Sequence, residues 1–130
     1  MRIEAYFQRV RSLLDERLLL SSSSVTYDKR STYEGFIRGE LRFVDGSCLH
    51  FREFVDVEST TDRLMYVYQY VDTAGTLVFR YDNTGHHRNL PTFPHHKHEG
   101  SEANLVASPG PDLAAVLDEV EDVVNHPAQL

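Results

Sequence analysis

A chain of 130 residues has room for one compact core, so its length excludes an enzyme with separate cofactor and substrate domains. Hydrophobic residues make up 41% and charged residues 25%, which excludes a wholly disordered or fibrous protein. The net charge of −7 arises in residues 99–130, which hold seven acidic residues and no lysine or arginine. The rest of the chain is therefore neutral and can still present a basic surface.

The sequence predicts a single domain over residues 1–130, without a membrane span. No apolar run approaches the roughly 18 residues that a span needs. The first 20 residues contain acids and arginines where a signal peptide would be apolar. We therefore expect a cytoplasmic protein. Cys48, the single cysteine, cannot form an internal disulfide.

The predicted elements are a helix, an antiparallel meander and a second helix. Apolar residues recur at helical spacing at the start of the chain, which predicts a helix over 1–20. From residue 25 to residue 82, apolar and polar residues alternate, and turn residues interrupt the alternation. This pattern predicts an antiparallel sheet of four to five strands over 25–82. A histidine- and proline-rich loop over 83–110 and an acidic amphipathic helix over 111–125 follow. The fold class is α+β, with both helices packed on one face of the sheet.

The register of the predicted strands decides which residues share a face. A three-residue loop, Asp45–Ser47, places the apolar residues of the two flanking strands on one buried face. The same logic continued along the chain adds further apolar residues to this face: Met65, Val67, Val71, Leu77, Phe79 and Tyr81.

Two polar residues fall on the predicted buried face. Glu53 and Gln69 are cross-strand neighbours in this register, and Gly39 lies opposite Glu53. A buried carboxylate must find a hydrogen-bond donor, or burial raises its pKa. Glu53 is therefore either bonded to Gln69 or to a helix arginine, or it is a catalytic acid in a pocket.

The opposite face is predicted to carry arginines and tyrosines. Its residues are Arg38, Glu40, Arg42, His50, Arg52, Tyr66, Tyr68, Tyr70, Arg80 and Asp82. Arginine binds phosphate and tyrosine stacks on bases, so Arg52 and the three tyrosines are candidates for binding single-stranded nucleic acid. The same residue types also form polar protein interfaces, and a solvated face without a ligand is the third interpretation.

The most informative segment is rich in histidine and proline. Residues 79–98 read FRYDNTGHHRNLPTFPHHKH and hold five of the seven histidines. Pro91 and Pro94 stiffen its backbone. In an extended conformation, His96 and His98 point to one side of the chain, and His95 and Lys97 point to the other.

Three interpretations of this segment stay open. A metal-independent phosphodiesterase would use imidazoles as acid and base, a carboxylate to orient them and cations to hold the phosphate. The candidates for these roles are His95, His96 and His98, then Asp82, then Arg80 and Lys97. A transition-metal site would use imidazole ligands instead, with the candidates His86, His87, His96 and His98. In the third interpretation the histidines only form hydrogen bonds that hold the loop on the sheet. No cofactor is predicted, and a transition metal is the alternative.

Several strings of this sequence resemble the TumE family, small prokaryotic proteins that are the toxin halves of toxin-antitoxin modules. The strings are FRYDNTGHH and LPTFPHHKH, followed by a proline-rich break and a short acidic helix. The resemblance also includes DGSCLHFRE and YVYQY, and it covers roughly residues 35–125. The residues that it picks out are Glu53, Arg80, Asp82, Asn83, His86, His87, His95, His96, Lys97 and His98.

The resemblance implies a growth-inhibiting toxin of a type II module, held by a cognate antitoxin that is a helix-turn-helix protein. Ribonuclease action extends this implication, because an Arg and Tyr face beside a His and Lys loop suits RNA. One alternative is a non-enzymatic interaction module, in which the Tyr and Arg face binds a partner or a second copy as a homodimer. A histidine-based metal-binding protein is the other alternative.

Overall fold

Two helices and one seven-stranded antiparallel sheet make up the part of the chain that the computed structural model describes, residues 1–85 and 90–127. The elements are α1 (Ile3–Asp15), β1 (Leu20–Lys29), β2 (Glu34–Phe43), β3 (Cys48–Asp56), β4 (Asp62–Val71), β5 (Leu77–Asp82), β6 (His96–Glu99), β7 (Leu105–Ala107) and α2 (Leu113–Asn125). Each strand pairs with the next one along the chain. The α+β class is confirmed, and the predicted number of strands, four to five, is wrong.

The segment 83–110, predicted as a loop, contains the two additional strands. His96 of β6 pairs with Asp82 of β5 and with Ala107 of β7. Strands of four and three residues are too short for alternation to stand out, and the neighbouring prolines favour a loop interpretation. The sheet therefore continues into the histidine-rich segment.

The chain enters the sheet earlier than predicted. α1 ends at Asp15, and Ser22 and Ser24 belong to β1, where they lie opposite Arg42 and Glu40 of β2. Pairing with β2 holds this serine run in the sheet, although serine has little preference for strands. The predicted helix end at residue 20 and the predicted start of the sheet at residue 25 are both too late in the chain.

The hairpin between β2 and β3 turns one residue earlier than predicted. Its loop is Val44–Gly46, because the backbone N of Phe43 donates to the carbonyl oxygen of Ser47 at 2.9 Å. Gly46 has a φ of +87°, as the last residue of a three-residue hairpin loop requires. The observed pairing of β2 with β3 differs from the predicted one by two residues. An even shift leaves each side chain on its predicted face, so the predicted buried faces of both strands are correct.

A β-bulge in β4 reverses the predicted faces of that strand. Phe54 pairs with Met65 and Val55 pairs with Arg63, so Leu64 is an extra residue between the two pairs. One extra residue exchanges the two faces of the strand beyond it. The residues of β4 predicted to be buried therefore lie on the other face, half-buried: Met65, Val67, Gln69 and Val71.

The three tyrosines of β4 consequently point into the core. Tyr66, Tyr68 and Tyr70 are at most 1% exposed, so the prediction that they form a stacking or interface surface is wrong. Glu53 lies opposite Tyr66. The predicted pairing of Glu53 with Gln69 is therefore also wrong.

The two faces of the sheet differ in chemistry. The core face carries buried apolar and tyrosine side chains, including Ile37, Leu41, Leu49, Phe51, Tyr66, Tyr68, Tyr70, Phe79 and Tyr81. The polar face carries the residues between them in each strand, including Arg38, Glu40, His50, Arg52, Gln69, Arg80, Asp82, His96 and His98.

Both helices contribute side chains to the same buried cluster as the core face. An ideal Cβ on Gly35 of β2 would lie 2.5 Å from Cζ of Phe7, so α1 approaches the sheet closely at this glycine. Leu117 of α2 is fully buried. Asp112 caps α2 by accepting a hydrogen bond from the backbone N of Ala115 at 2.9 Å.

Neither described helix is long and apolar enough to cross a membrane.

Gly39 makes room for a core ring. It lies opposite Phe51, and not opposite Glu53 as predicted. An ideal Cβ on Gly39 would lie 2.2 Å from Cε1 of Phe51, so the ring occupies the space that a side chain would need. A larger residue at this position must displace the ring or the strand.

We predict that Gly39→Ala lowers the free energy of unfolding by about 1–3 kcal/mol, because the added methyl overpacks the core. The measurement is urea unfolding followed by circular dichroism. Gly85→Ala is the matched control, because nothing lies within 4 Å of a Cβ added at Gly85; its stability should stay the same or rise slightly. Equal stabilities of the two variants would contradict the close packing of Phe51 over Gly39.

Candidate functional site

The pairing of β5 with β6 collects ionisable side chains on the polar face. Asp82 lies opposite His96, and Arg80 lies opposite His98. Asp82, His96 and His98 are only 2%, 1% and 5% exposed. We call these three residues the Asp-His cluster.

The carboxylate of Asp82 is the centre of the Asp-His cluster. Its Oδ1 lies 2.7 Å from Nε2 of His96, and its Oδ2 lies 3.1 Å from Nε of Arg80 and 3.9 Å from Nε2 of His98. The backbone N and the hydroxyl of Thr84 donate to Oδ1 at 3.1 and 2.9 Å. Asp82 therefore contacts an imidazole directly, and its predicted role of orienting a catalytic imidazole stays a prediction.

Backbone carbonyls hold the far side of both imidazole rings. Nδ1 of His96 lies 3.2 Å from the carbonyl oxygen of Pro94, and Nδ1 of His98 lies 2.8 Å from that of Glu102. A carbonyl oxygen only accepts hydrogen bonds, so Nδ1 is the donor in both rings. Nε2 of each ring consequently faces Asp82.

His95 and Lys97 point to the core face. The ring of His95 stacks on Tyr66 with centroids 5.8 Å apart, and its Nδ1 lies 2.9 Å from the Tyr66 hydroxyl. Nζ of Lys97 lies 3.2 Å from Oε2 of Glu119 and 4.9 Å from the ring centroid of Tyr81. The predicted alternation of the four side chains from residue 95 to residue 98 is confirmed.

The sheet therefore separates the predicted catalytic and phosphate-binding residues. His95 and Lys97 lie on one side of β6, whereas the Asp-His cluster and Arg80 lie on the other. Arg80 already forms two ion pairs, because it contacts Asp82 and its Nη1 lies 2.5 Å from Oε1 of Glu102. These residues do not form one site.

Glu53 is fully buried within a network of tyrosines on the core face. The hydroxyls of Tyr6 and Tyr68 each donate to its carboxylate at 2.5 Å. Arg63 donates to the Tyr68 hydroxyl at 3.2 Å. The carboxylate is therefore stabilised by two tyrosines, and not by Gln69 or a helix arginine as predicted. No spacing in the sequence marks Tyr6 or Arg63 as partners of Glu53.

Arg63 connects this network to the start of α2. Its guanidinium donates to the carbonyl oxygens of Gly110 and Pro111, both at 2.7 Å. It also lies 4.3 Å from the ring centroid of Tyr66. Hydrogen bonds to Glu53 thus join the sheet to α1, and hydrogen bonds from Arg63 join it to the segment before α2.

A groove of about 430 Å³ crosses the polar face. Its lining residues come from β1 to β4: Ser24, Thr26, Arg38, Gly39, Glu40, His50, Phe51, Arg52, Val67 and Gln69. Arg52, predicted to bind nucleic acid, lies here. The three tyrosines predicted beside it do not.

Two arginines lie side by side in this groove. Arg38 of β2 is directly opposite Arg52 of β3, and both are exposed. Like charges at opposite positions repel each other. Within the described residues, neither guanidinium forms an ion pair with a carboxylate. The pair is therefore suited to bind an anion.

His50 lies beside the arginine pair and is exposed. One of its ring nitrogens lies within 4.8 Å of a carboxylate oxygen of Glu40 and of Sγ of Cys48. Alternation along the strand placed Arg38 and His50 on this face in the sequence analysis, but neither was assigned to the site. Only the structure brings them together with Arg52 in one groove.

The groove and the Asp-His cluster share the polar face. Arg52, Val67, Asp82 and His96 follow one another in register across β3, β4, β5 and β6. Adjacent strands are about 4.8 Å apart, so His96 lies about 14 Å from Arg52. His86 and His87, predicted as metal ligands, lie outside the described residues.

The buried tyrosines predict a loss of stability at alkaline pH. Burial raises the pKa of Tyr66 to about 12, whereas an unfolded tyrosine has a pKa of about 10. Burial, followed by the charge of Glu53, also raises the pKa of Tyr68 well above its usual value. The stabilisation is complete below the unfolded pKa and is lost as the pH rises towards the folded pKa.

We expect the free energy of unfolding of the wild type to fall between about pH 10 and pH 12, as measured by urea titration. Tyr66→Phe removes one titrating group, so its stability should fall less steeply across this window. Tyr33→Phe, at a residue 37% exposed, should fall like the wild type. An identical slope for Tyr66→Phe and the wild type would contradict this assignment.

Comparison with known proteins identifies the family. A family model described as Toxin TumE matches residues 9–126, nearly the whole chain. Searches of curated proteins and of solved structures find no significant match. The resemblance found in the sequence is confirmed, and with it the expectation of a toxin with an antitoxin partner. The chain belongs to the TumE family of toxins.

Proposed function

We propose that the chain is the toxin of a type II toxin-antitoxin module and that it acts on RNA bound in the groove of the polar face. The Arg38 and Arg52 pair carries this proposal. Guanidinium groups bind phosphate with several directed hydrogen bonds, and two of them on adjacent strands match one phosphate of an RNA backbone. An anion between them would also remove their mutual repulsion.

The distribution of acidic residues supports an anionic ligand at this face. The negative charge of the chain lies after residue 98. In α2, Asp118 and Glu121 pair with Arg17, and Glu119 pairs with Lys97 on the core face. None of these carboxylates lines the groove; the acidic residue in its lining is Glu40, which pairs with Arg42. The groove therefore offers a local attraction for phosphate although the whole chain is acidic.

His50 is placed to perform the chemistry of RNA cleavage. Its imidazole lies in the groove beside the two arginines, and imidazole is the side chain that most often serves as a general acid or base. In the proposed step, it removes the proton from a ribose 2′-hydroxyl, and the 2′-oxygen bonds to phosphorus. The bond from phosphorus to the 5′-oxygen breaks, and this oxygen takes the proton from the imidazolium. The products are a 2′,3′-cyclic phosphate and a 5′-hydroxyl, and no metal is needed.

The remaining predicted roles stay predictions. His95, His96, His98, Asp82 and Glu53 were assigned to catalysis, with Asp82 as the residue that orients an imidazole, and all five are at least half-buried. Arg80 and Lys97 were assigned to phosphate binding, and both contact carboxylates. RNA would have to displace these contacts to reach them, whereas Arg38, His50 and Arg52 are accessible.

The partner that we propose is a helix-turn-helix antitoxin, as the family resemblance implies. The compartment that we propose is the cytoplasm, as expected from the composition of the first 20 residues. The alternative of a non-enzymatic interaction module, and the homodimer that it implied, rested on a surface of tyrosines. Burial of Tyr66, Tyr68 and Tyr70 removes that surface. The enzymatic proposal is therefore the one that the accessible side chains support.

We expect induction of the wild type to arrest bacterial growth and to degrade RNA, and His50→Ala to lose both effects. His126→Ala, at an exposed residue after α2, is the control and should behave like the wild type. Circular dichroism checks that each variant folds. In vitro, cleavage in EDTA should leave 2′,3′-cyclic phosphate ends. Activity that survives in His50→Ala but is lost in a folded His96→Ala would transfer the chemistry to the Asp-His cluster.

The arginine pair makes a separate prediction about affinity. Arg38→Gln and Arg52→Gln should each weaken the binding of a single-stranded RNA about tenfold, and each should reduce the slope of log K against log salt by about 0.7. Fluorescence anisotropy at several salt concentrations measures both quantities. Arg9→Gln, on the exposed side of α1, is the control. An equal effect of all three substitutions would show that RNA binds without using the groove.

A further inference from the structure

The Asp-His cluster has a feature that the proposed RNA cleavage does not use. Three ligand atoms converge in a buried position, one oxygen of Asp82 and Nε2 of His96 and of His98, all within 4.8 Å of one another. They come from two adjacent strands whose register is set by backbone pairing. They are therefore held in place before any ligand arrives.

The orientation of both rings presents lone pairs to Asp82. Nδ1 of each ring donates to a backbone carbonyl, that of Pro94 for His96 and that of Glu102 for His98. A neutral imidazole that donates through Nδ1 offers an electron pair at Nε2. Histidines that bind metals are usually held in this way, with the second ring nitrogen donating to a carbonyl or carboxylate. A carboxylate and two lone pairs that face each other attract a cation.

We propose that Asp82, His96 and His98 bind one divalent transition-metal ion of the zinc class and thereby fasten β6 to β5. Two imidazole nitrogens and one carboxylate oxygen suit Zn²⁺, Co²⁺ or Ni²⁺, and they do not suit Mg²⁺ or Ca²⁺, which prefer oxygen ligands. A water molecule would complete a tetrahedral site. This site is separate from the groove, so it does not depend on the proposed ribonuclease activity.

The observed distances lie close to those of a metal site. Ligand atoms about 2.1 Å from a tetrahedral ion are about 3.4 Å apart. Nε2 of His96 lies 2.7 Å from Oδ1 of Asp82, and Nε2 of His98 lies 3.9 Å from Oδ2. Metal binding would lengthen the first distance by about 0.7 Å and shorten the second by about 0.5 Å.

The surroundings of Asp82 complete the charge balance of the site. Arg80 contacts Oδ2 of Asp82, and its charge opposes a bound cation. Glu102 contacts Arg80 and offsets that charge. Thr84 donates to Oδ1 twice and holds the carboxylate in place. These contacts fix the carboxylate oxygens of Asp82 beside the two imidazole rings.

A second group of ligand atoms provides an internal comparison. Glu40, Cys48 and His50 also bring their ligand atoms within 4.8 Å of one another, but Glu40 and His50 are exposed. This group contains a thiol, whereas the Asp-His cluster contains only nitrogen and oxygen. The two sites therefore differ in the spectrum of bound cobalt, because only a thiolate gives an intense ultraviolet charge-transfer band.

The test is titration of untagged protein, freed of metal by EDTA and dialysis, with ZnCl₂ and with CoCl₂ in the absence of RNA. We expect one ion per chain by calorimetry and a tetrahedral cobalt spectrum without a thiolate band. Zinc at about a hundredfold above its Kd should raise Tm by about 5 °C or more. No binding to the wild type, or a thiolate band, would overturn the proposal.

Substitutions then assign the ligands. Asp82→Asn and His98→Gln should each weaken zinc binding by at least tenfold, since each removes one ligand. Cys48→Ser and His126→Gln are the controls and should bind like the wild type. Binding that persists in a folded Asp82→Asn, or that is lost in Cys48→Ser, would contradict the assignment. If Asp82→Asn does not fold, the cobalt spectrum of the wild type and His98→Gln still decide it.

These experiments test the metal site and the ribonuclease activity separately, so either proposal can fail while the other holds. A chain that binds zinc at the Asp-His cluster but does not cleave RNA supports the metal site and contradicts the ribonuclease. A chain that cleaves RNA in EDTA and binds no zinc gives the opposite result. The metal site is therefore judged on calorimetry, spectrum and Tm, and not on toxicity.

Discussion

The single extra residue in β4 is the constraint on which the organisation of this sheet depends. Leu64 shifts the pairing of β4 with β3 by one position, and a strand has a side-chain period of two. All later side chains of β4 therefore change faces. Three tyrosines enter the core, and Val67 and Gln69 become the edge of a groove on the polar face. Without the bulge, the tyrosines would form the exposed stripe that alternation alone predicts.

The burial of the tyrosines also explains how the core tolerates a carboxylate. Glu53 is fully buried, and such a group is costly unless donors satisfy it. Tyr68 reaches it only because the bulge turns β4 inward, and Tyr6 reaches it from α1. Arg63 then links the tyrosines to the start of α2. A polar network, and not only apolar contact, joins the helices to the sheet.

The polar face divides into an accessible part and a buried part, and this division separates two kinds of chemistry. Arg38, His50 and Arg52 are exposed in the groove and can touch a large ligand such as RNA. Asp82 and His96 are almost fully buried and suit a small cation held by fixed ligands. The histidine-rich string that dominates the sequence therefore lies beside the proposed RNA site and not in it.

The sequence by itself determined the α+β class, the family and the alternation of residues 95 to 98, because these follow from local periodicity and from strings of adjacent residues. It also placed Arg38, His50 and Arg52 on one face, since β2 and β3 alternate without interruption up to their hairpin. Only the tertiary structure decided the faces of β4, the partners of Glu53 and the pairing of His96–Glu99 with β5. The physical reason is that these features depend on contacts between residues far apart in the chain. A bulge, a hydrogen bond between distant elements or the pairing of two short strands produces no regular repeat of apolar residues that the sequence could show.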